Sequence, residues 1–170
     1  MIEQGILTED DNVELLDGVI FQKVSKNPRY SSSTRATRKA LERLAPAGWF
    51  VDSQEPITLA ASEPEPDLAV IRGDSVGFPN HHPGPGDVGL VVEISDSSLD
   101  RDRILKKRIY ATAGIPWYWI LDLKAVRLEA YSDPRDGAYQ KSQAYGLSEA
   151  APLELDGRVI GEIPVRELIR

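Results

Sequence analysis

The sequence predicts an α+β fold, an α/β sandwich in which helices flank a central mixed β-sheet. Short apolar or alternating segments, which are typical of strands, recur along most of the chain. Two longer segments, 27–48 and 97–114, carry apolar residues at helical spacing and separate groups of strands. The chain shows no internal repeat and no interdomain linker, so we expect one domain over residues 1–170.

Composition narrows the class of protein further. The chain has 170 residues, 41% of them hydrophobic, which is enough for one apolar core. It contains no cysteine, which excludes disulfides and thiolate metal sites. The acidic, polar N-terminus is unlike a secretory signal, and no apolar run approaches the roughly 20 residues of a membrane-spanning helix. We therefore expect a cytoplasmic protein.

The first part of the chain is predicted to contain an arm, a hairpin and a helix. Residues 1–12 are interpreted as an N-terminal arm. Residues 13–24, VELLDGVIFQKV, consist of two short apolar runs split by an Asp-Gly pair, which is typical of hairpin turns. The first helix is predicted within residues 27–48, with Ser31–Ser33 as candidate N-terminal caps and a proline and a glycine at its end.

The middle of the chain is predicted to supply the centre of the sheet. Short strands are expected at 49–53 (WFVDS), at 56–60 (PITLA) and at Asp67–Ile71, the last after two prolines that favour extended backbone. Residues 72–87 form a long loop rich in proline and glycine. Residues 88–95, VGLVVEIS, are mostly apolar at both odd and even positions, which indicates a central strand covered on both faces.

After the second helix, the chain is predicted to return to strands. Residues 116–123, PWYWILDL, form another apolar strand. Residues 125–132 and 138–146 are interpreted as a meander. Short strands around Leu153 and Val159 and a terminal turn complete the chain.

The second helix carries a run of charges, and a helical wheel separates the inward charges from the others. At 100° per residue, Asp102 and Lys106 fall in the middle of the apolar arc that contains Leu105 and Ile109, and the other basic residues project elsewhere. Asp102 and Lys106 are also spaced i, i+4, and on a surface such a pair contributes only about 0.2–0.5 kcal/mol. Their inward placement favours a role beyond that of a surface pair.

Three carboxylates stand at the ends of predicted strands. Glu93 ends an apolar strand, Asp67 opens the strand after Pro-Glu-Pro, and Glu14 opens the first strand of the hairpin. A carboxylate among buried positions is costly unless a cation compensates it. Together with an inward lysine, this set suits a hard divalent cation such as Mg²⁺, which takes oxygen ligands. A buried ion-pair network without a metal is equally compatible with the spacing.

Charge is unevenly distributed along the chain. The net charge of -7 argues against a general nucleic-acid coat. Segments 23–43 and 101–108 nevertheless hold twelve of the 20 Lys and Arg residues, a pattern that fits either a local basic surface or solvated helix faces. The only histidines, His81 and His82, are adjacent in the long loop and are either incidental or in contact with a substrate.

Four blocks of the chain, in order, resemble a known family. The hairpin VELLDGVIF, the Pro66-Asp67 step, the block VVEISDSSLDRDRILKKRIY and the block AGIPWYWILDL are similar to the Uma-type restriction endonuclease family. That family was formerly a domain of unknown function and belongs to the PD-(D/E)XK nuclease superfamily. The resemblance runs from about Glu14 to Tyr131, and it implies a restriction-endonuclease-like core with a central mixed sheet flanked by helices.

Carried over residue by residue, the resemblance implies a site for Mg²⁺ or Mn²⁺. Asp67 is the motif aspartate, Glu93 is the second acidic ligand, and the carbonyl of Ile94 is a third ligand. The superfamily pattern expects a lysine two residues after the glutamate, where this chain has Ser95. In this family that lysine lies on the following helix, and Lys106 occupies the matching position.

Further positions match with supporting roles. Glu14 matches the acidic position near the N-terminus, and Asp102 and Tyr110 match other family positions. Tyr30 is a departure, because relatives often carry a histidine near the start of the first helix.

The resemblance therefore implies a Mg²⁺-dependent endonuclease that hydrolyses DNA, with Asp67, Glu93 and Lys106 as catalytic residues. Lys106 is expected to orient or deprotonate the attacking water. A homodimer or higher homo-oligomer is expected of an enzyme that cuts both strands. Two alternatives stay open: a catalytically silent DNA- or protein-binding member with a structural ion-pair network, and a metal-dependent hydrolase of another phosphoester. The residues predicted to contact DNA phosphates are Arg35, Arg38, Lys39 and Arg43.

Overall fold

The computed structural model describes residues 12–23 and 26–170. Its first hairpin and the helix after it are β1 Val13–Leu16, β2 Val19–Gln22 and α1 Pro28–Leu44. The next strands are β3 Trp49–Asp52, β4 Leu68–Arg72 and β5 Val88–Ser95. Helix α2 runs through Leu99–Arg101, Asp102–Lys106 and Lys107–Thr112. The elements after α2 are β6 Trp117–Asp122, β7 Arg127–Arg135, β8 Ala138–Gly146, β9 Ala150–Leu155, β10 Arg158–Pro164 and α3 Val165–Leu168.

Six strands form a central mixed sheet in the order β3-β4-β5-β6-β7-β8. β5 and β6 pair in parallel, and the other neighbours are antiparallel. β5 is buried along its whole length, as expected of an apolar strand at the centre of a sheet. The predicted α+β fold with a mixed sheet is therefore confirmed. β1–β2 and β9–β10 form two separate hairpins.

Different elements cover the two faces of the sheet. On one face, Val92 belongs to an apolar cluster that includes residues of α1, the β9–β10 hairpin and α3. On the other face, Val91 belongs to a cluster that includes Tyr110 of α2. Because side chains alternate along a strand, Glu93 points to the same face as Val91. The central strand therefore presents its one carboxylate to the α2 side of the sheet.

The β1–β2 hairpin confirms the predicted Asp-Gly turn and fixes the position of Glu14. Asp17 and Gly18 have φ angles of 49° and 77°, the left-handed geometry that this kind of two-residue turn requires. Leu15 forms an isolated antiparallel bridge with Glu63, and the Glu63 N–H donates to the Leu15 carbonyl at 2.8 Å. This bridge attaches the hairpin to the segment before β4, and the side chain of Glu14 is buried.

Helix α2 contains one π-helical turn. Within Asp102–Lys106 each backbone hydrogen bond spans one residue more than in an α-helix, and the N–H of Lys107 donates to the carbonyl of Asp102. Such a turn amounts to one residue inserted into an α-helix and is frequent at functional sites. Asp102 and Lys106 are only 2% and 5% exposed, so the inward placement predicted from the helical wheel is confirmed.

The predicted cap of α1 was wrong. Asn27 caps the helix, because its side chain accepts a hydrogen bond from the Tyr30 N–H at 2.9 Å, and Pro28 occupies the first helical position. Asparagine is among the strongest N-caps and proline suits the first turn, so this pair starts the helix before Ser31–Ser33 are reached.

The strand predicted at 56–60 was also wrong. The N–H groups of Ile57 and Thr58 donate to the carbonyls of Pro64 and Pro83, so they join no strand ladder. The predicted arm, 1–12, lies outside the described residues except for its last position. In the part of the chain that is described, no helix is long and apolar enough to cross a membrane.

Candidate active site

A pocket of about 70 Å³ opens at the carboxyl end of β5, and six of the predicted site residues line it: Glu14, Asp67, Glu93, Ile94, Asp102 and Lys106. Strand pairing explains how two of them meet. Leu68 of β4 lies opposite Val92 of β5, so Asp67, one residue earlier on an antiparallel strand, lies beside Glu93. The two predicted acidic ligands are therefore brought together by the centre of the sheet.

Lys106 joins these carboxylates to the hairpin. Its Nζ donates a hydrogen bond to Glu93 Oε1 at 3.0 Å and lies 2.9 Å from Glu14 Oε2. The contact with Glu14 is an ion pair without good hydrogen-bond angles, since Glu14 Oε2 is buried and has no hydrogen-bond partner among the described residues. One buried ammonium group therefore holds carboxylates from β1 and β5.

Asp67 is fixed by two hydrogen bonds. The Ile94 N–H donates to Asp67 Oδ2 at 2.6 Å, and the hydroxyl of Tyr30 donates to Asp67 Oδ1. Asp67 is partly exposed and lines the pocket. Tyr30, the departure from the family pattern, therefore contacts the motif aspartate directly.

Asp102 binds hydroxyl groups instead of the lysine next to it on the helix. Ser95 Oγ and Ser98 Oγ donate to Asp102 Oδ2 at 2.5 and 2.6 Å. Within residues 12–23 and 26–170, no ion pair joins Asp102 to Lys106, although the two are spaced i, i+4. Ser95, which occupies the place of the superfamily lysine, thus connects the end of β5 to α2.

Tyr110 supports Glu93 from the interior. Its hydroxyl donates to Glu93 Oε1 at 2.9 Å, and the side chain is fully buried. Glu93 Oε1 therefore accepts hydrogen bonds from both Tyr110 and Lys106. No hydrogen bond from the described residues reaches Glu93 Oε2, so this oxygen is free for a ligand.

The electrostatics of the pocket show an excess of carboxylate. Burial raises the pKa of Asp67 from 3.8 to about 6, against two hydrogen bonds that lower it. Burial also raises the pKa of Glu93 well above its ordinary value, opposed by Lys106 and reinforced by the nearby acids. Burial alone lowers the pKa of Lys106, but Glu93 and Glu14 outweigh it, so the pKa lies above its ordinary value. The lysine stays charged and does not neutralise the whole cluster.

The donor set fits a hard divalent cation. Mg²⁺ and Mn²⁺ take oxygen ligands, and Mg²⁺ often uses one or two carboxylates together with water. Among the described residues, no three His, Cys, Asp or Glu side chains are arranged as a metal-binding group. Asp67 and Glu93 would therefore need main-chain and water oxygens as further ligands. The ion and the Ile94 carbonyl as its ligand stay predictions.

The predicted DNA-binding residues lie away from the pocket. Arg38 is paired with Glu42 at 2.7 Å, and Arg43 is paired with Glu167 at 2.8 Å. α1 begins at the pocket with Tyr30 and leads away, so at a rise of about 1.5 Å per residue Arg43 lies roughly 20 Å further along the helix. A role in DNA binding stays a prediction for all four exposed residues: Arg35, Arg38, Lys39 and Arg43.

The pocket also contains residues that the sequence patterns did not select: Lys23, Lys26, Gln54, Glu65 and Arg101. Lys23 pairs with Glu65, and Arg101 Nη1 lies 3.4 Å from Glu14 Oε1. The helical wheel assigned Arg101 to the outside, which was wrong because its long side chain reaches across to the β1–β2 hairpin. For Lys23, Lys26 and Arg101 the only available signal was the clustering of charge in segments 23–43 and 101–108, and no sequence pattern marked Gln54 or Glu65.

The two histidines lie outside the pocket lining. His81 and His82 are exposed, and the ring of His81 packs edge-on against Phe78 at a centroid distance of 5.6 Å. Contact with a substrate stays a prediction for both.

A mixed sheet that presents an aspartate and a glutamate on adjacent strands, beside a buried lysine from a flanking helix, defines an α+β protein of the restriction-endonuclease-like class. The family model "Uma2: Putative restriction endonuclease" matches residues 3–160, and the chain belongs to this family. The predicted family is therefore confirmed. A search of curated proteins finds no match.

A solved structure supports the fold. The chain is similar to a crystal structure described as "a putative nuclease belonging to DUF820 from Anabaena variabilis ATCC 29413", with a TM-score of 0.71. The two chains are 12% identical, and the match covers 98% of this chain and 94% of the other. At this identity the similarity shows the fold alone.

Proposed function

We propose that this protein is an endonuclease that hydrolyses DNA phosphodiester bonds with a bound Mg²⁺ or Mn²⁺ ion. The observation that carries the proposal is the meeting of Asp67, Glu93 and Lys106 at one pocket. Membership of a restriction endonuclease family supports the nuclease class.

The pocket residues divide into those that would hold the ion and those that position them. Asp67, Glu93 and the Ile94 carbonyl would hold it, and the ion when bound would activate water and stabilise charge on the phosphate. Tyr110 and Lys106 both occupy Glu93 Oε1, which leaves Glu93 Oε2 for the ion. These hydrogen bonds fix the carboxylates in advance, so little reorganisation is needed on binding.

Lys106 would act as a hydrogen-bond donor and not as a base. Glu93 and Glu14 raise its pKa above the ordinary value, so it remains an ammonium group. In this form it would orient the attacking water and offset negative charge as phosphorus gains a fifth oxygen. The water oxygen bonds to phosphorus and loses a proton to solvent, one P–O ester bond breaks, and the leaving oxygen takes up a proton from solvent, so that one water is added across the bond.

Cleavage of duplex DNA by the purified protein tests the proposal. We expect cleavage with Mg²⁺ or Mn²⁺ and none with EDTA, and we expect Asp67→Asn and Glu93→Gln to abolish it. Glu162→Gln, at an exposed carboxylate of β10, is the matched control and should cleave as the wild type does. Cleavage that survived both Asp67→Asn and Lys106→Ala would contradict the mechanism.

The contacts of Lys106 also suit a catalytically silent DNA- or protein-binding protein, because one lysine between Glu14 and Glu93 is an ion-pair network in itself. Titration calorimetry and thermal denaturation with Mn²⁺ separate the two functions. The absence of both a heat of binding and a shift in Tm would support the catalytically silent protein. Small phosphoesters assayed beside DNA test the third possibility, a hydrolase of another substrate.

Two active sites are required to cut both strands of a duplex in one encounter, so we propose that the active form is a homodimer. Sedimentation velocity with and without a DNA duplex measures the assembly. A protein that stays monomeric in both conditions while cutting both strands would contradict this part of the proposal.

A further inference from the structure

A chain of hydrogen bonds runs from the mouth of the pocket to Asp67. Lys26 Nζ donates to Gln54 Oε1 at 2.5 Å, Gln54 Nε2 donates to the Tyr30 hydroxyl at 3.1 Å, and the Tyr30 hydroxyl donates to Asp67 Oδ1. All four residues line the same pocket. Each of these hydrogen bonds joins residues that are between 24 and 37 positions apart in sequence, so the fold itself brings the groups together.

The chemistry of the groups fixes the direction of this chain. Lysine has three N–H donors and no acceptor, so the Gln54 atom that faces Lys26 must be the amide oxygen. The amide nitrogen of Gln54 then faces Tyr30, whose oxygen accepts a hydrogen bond. The single proton of the Tyr30 hydroxyl is thereby directed to Asp67. All three hydrogen bonds therefore run in one direction, from the exposed lysine at the mouth to the motif aspartate, which as a carboxylate only accepts.

Gln54 is held in this place at a conformational cost. Its φ angle is 60°, in the left-handed region that residues other than glycine, asparagine and aspartate seldom adopt. Its N–H donates to the carbonyl of Pro66 at 3.1 Å, immediately before Asp67. The side chain of Gln54 therefore contacts Lys26, while its backbone is bonded to the residue that precedes Asp67.

Lys26 differs from the other cations of the pocket. Lys23 pairs with Glu65, Arg101 pairs with Glu14, and Lys106 pairs with two glutamates. In the described part of the chain, Lys26 has no carboxylate partner and is exposed. Gln54 takes one of its three donors, so two donors face solvent and are available to an anion.

We propose that Lys26, Gln54 and Tyr30 form a phosphate-positioning unit for the nucleic-acid substrate. Lys26 binds a backbone phosphate next to the cleaved bond, Gln54 holds Lys26 in place, and Tyr30 ties both to Asp67. These are positioning residues, and the inference rests on the proposed function for the identity of the substrate. It adds which phosphate contact aligns the substrate with the carboxylates.

DNA binding without catalysis is the first test. The affinity of a fluorescent DNA duplex is measured by anisotropy in EDTA over a range of salt concentrations. We expect Lys26→Met to weaken binding about tenfold, as loss of one charge-assisted hydrogen bond does, and to reduce the salt slope by about 0.9. Lys141→Met, at an exposed lysine of β8 outside the pocket, is the matched control and should change neither quantity. Equal effects of the two variants, or a wild type that does not bind DNA, would overturn the inference.

Coupling between Lys26 and Gln54 is the second test. Asparagine tolerates the left-handed backbone but is too short for both contacts, so Gln54→Asn should weaken binding without unfolding the chain. If Gln54 acts by holding Lys26, the double variant should bind no worse than Lys26→Met alone. Effects that simply multiply would overturn the unit, because they show two independent contacts.

Cleavage kinetics separate this inference from the proposed function. With Mg²⁺ present, Lys26→Met should raise KM about tenfold with little change in kcat, which a merely structural change would not do selectively. Cleavage by the wild type together with an unchanged KM in Lys26→Met would overturn the positioning unit and leave the proposed function standing. DNA binding that depends on Lys26 without any cleavage would overturn the proposed catalysis and support the DNA contact.

Discussion

Helix α2 contributes to two clusters of charge that differ in their balance. The pocket cluster (Glu14, Asp67, Glu93, Asp102 and Lys106) contains four carboxylates and one buried lysine, and the partly exposed Arg101 adds one more cation beside Glu14. In the arginine cluster (Arg103, Asp122, Arg127 and Glu129), Arg103 binds Asp122 at 3.1 Å and also Glu129, and Arg127 binds Glu129 at 2.8 Å. Two cations therefore face two carboxylates in the second cluster.

The balance of each cluster indicates its role. For Glu129, burial raises the pKa, but hydrogen bonds from Arg103 and Tyr131 outweigh burial and hold the pKa below its ordinary value. For Glu93, burial dominates and the pKa is raised. A cluster whose carboxylates are already satisfied needs no ligand, whereas a cluster with excess carboxylate is stabilised by an added cation. The arginine cluster is therefore expected to be structural, and the pocket cluster to bind.

Removal of the lysine should give the largest effect. Lys106→Ala leaves Glu93 buried without a cation and Glu14 with Arg101 alone, so we expect a loss of roughly 3–5 kcal/mol in the free energy of unfolding and no cleavage. Arg103→Ala, at a partly exposed residue, should cost about 1 kcal/mol and preserve cleavage. Urea denaturation and a plasmid assay measure both. Similar losses in the two variants would show that the clusters do not differ in kind, and Lys106→Met provides a second variant if Lys106→Ala does not fold.

A divalent cation should stabilise the protein through the pocket cluster alone. At an Mn²⁺ concentration of 100 times Kd, a single site adds about 2.7 kcal/mol to the free energy of unfolding. We expect Asp67→Asn to lose this stabilisation and Glu129→Gln to keep it. Thermal denaturation with Mn²⁺ measures the shift in Tm, and a shift that persists in Asp67→Asn would place the ion elsewhere.

The two clusters should contribute to the free energy of unfolding with opposite dependence on pH. Folding raises the pKa of Asp67 from 3.8 to about 6, so between these values the folded state binds more protons and stability falls as the pH rises. Folding lowers the pKa of Glu129 below 4.5, so its contribution is present above pH 4.5 and is lost as the pH falls through the folded value.

Urea denaturation of two variants over this pH range isolates these contributions. Relative to the wild type, Asp67→Asn should gain stability as the pH rises from about 4 to 6. Glu129→Gln should lose relative stability as the pH rises towards and past 4.5. Curves that run parallel for the two variants would contradict the contrast between the clusters.

Substitution on the exposed face of α1 should have the smallest effect on the free energy of unfolding, because this face belongs to neither cluster. Arg35→Ala should change the free energy of unfolding by less than about 0.5 kcal/mol. If Arg35 contacts a phosphate, the variant should reduce the salt slope of DNA binding by about 1 without altering cleavage chemistry. An unchanged slope would exclude Arg35 from the DNA-binding surface.

The sequence predicted the parts of the site that follow from regular periodicity. Lys106 and Asp102 were found because a helical wheel places them among apolar residues, and Glu93 because it interrupts a buried strand. Asp67 was found because two prolines lead into the next apolar run. Each of these predictions needed only the local geometry of one helix or strand.

The parts that were missed depend on tertiary structure. Gln54 lies in a turn with left-handed backbone, and Lys26 lies between a hairpin and a helix, so no periodic pattern marks either residue. The false strand at 56–60 has the same origin, because its apolar pattern is suitable but its N–H groups bond to proline carbonyls in other loops. Arg101 was misplaced because a helical wheel treats a long, flexible side chain as a fixed direction.

The π-helical turn of α2 lets the two ends of the helix face different surroundings, the sheet at one end and the pocket at the other. An α-helix turns by about 100° per residue, so loss of the extra residue would rotate Asp102 by that angle relative to Ile109 and Tyr110. With the turn present, one end of the helix satisfies packing against the sheet while the other satisfies the pocket. A deletion of a single residue within 102–106 is therefore expected to keep Ile109 and Tyr110 packed against the sheet and to turn Asp102 away from Ser95 and Ser98.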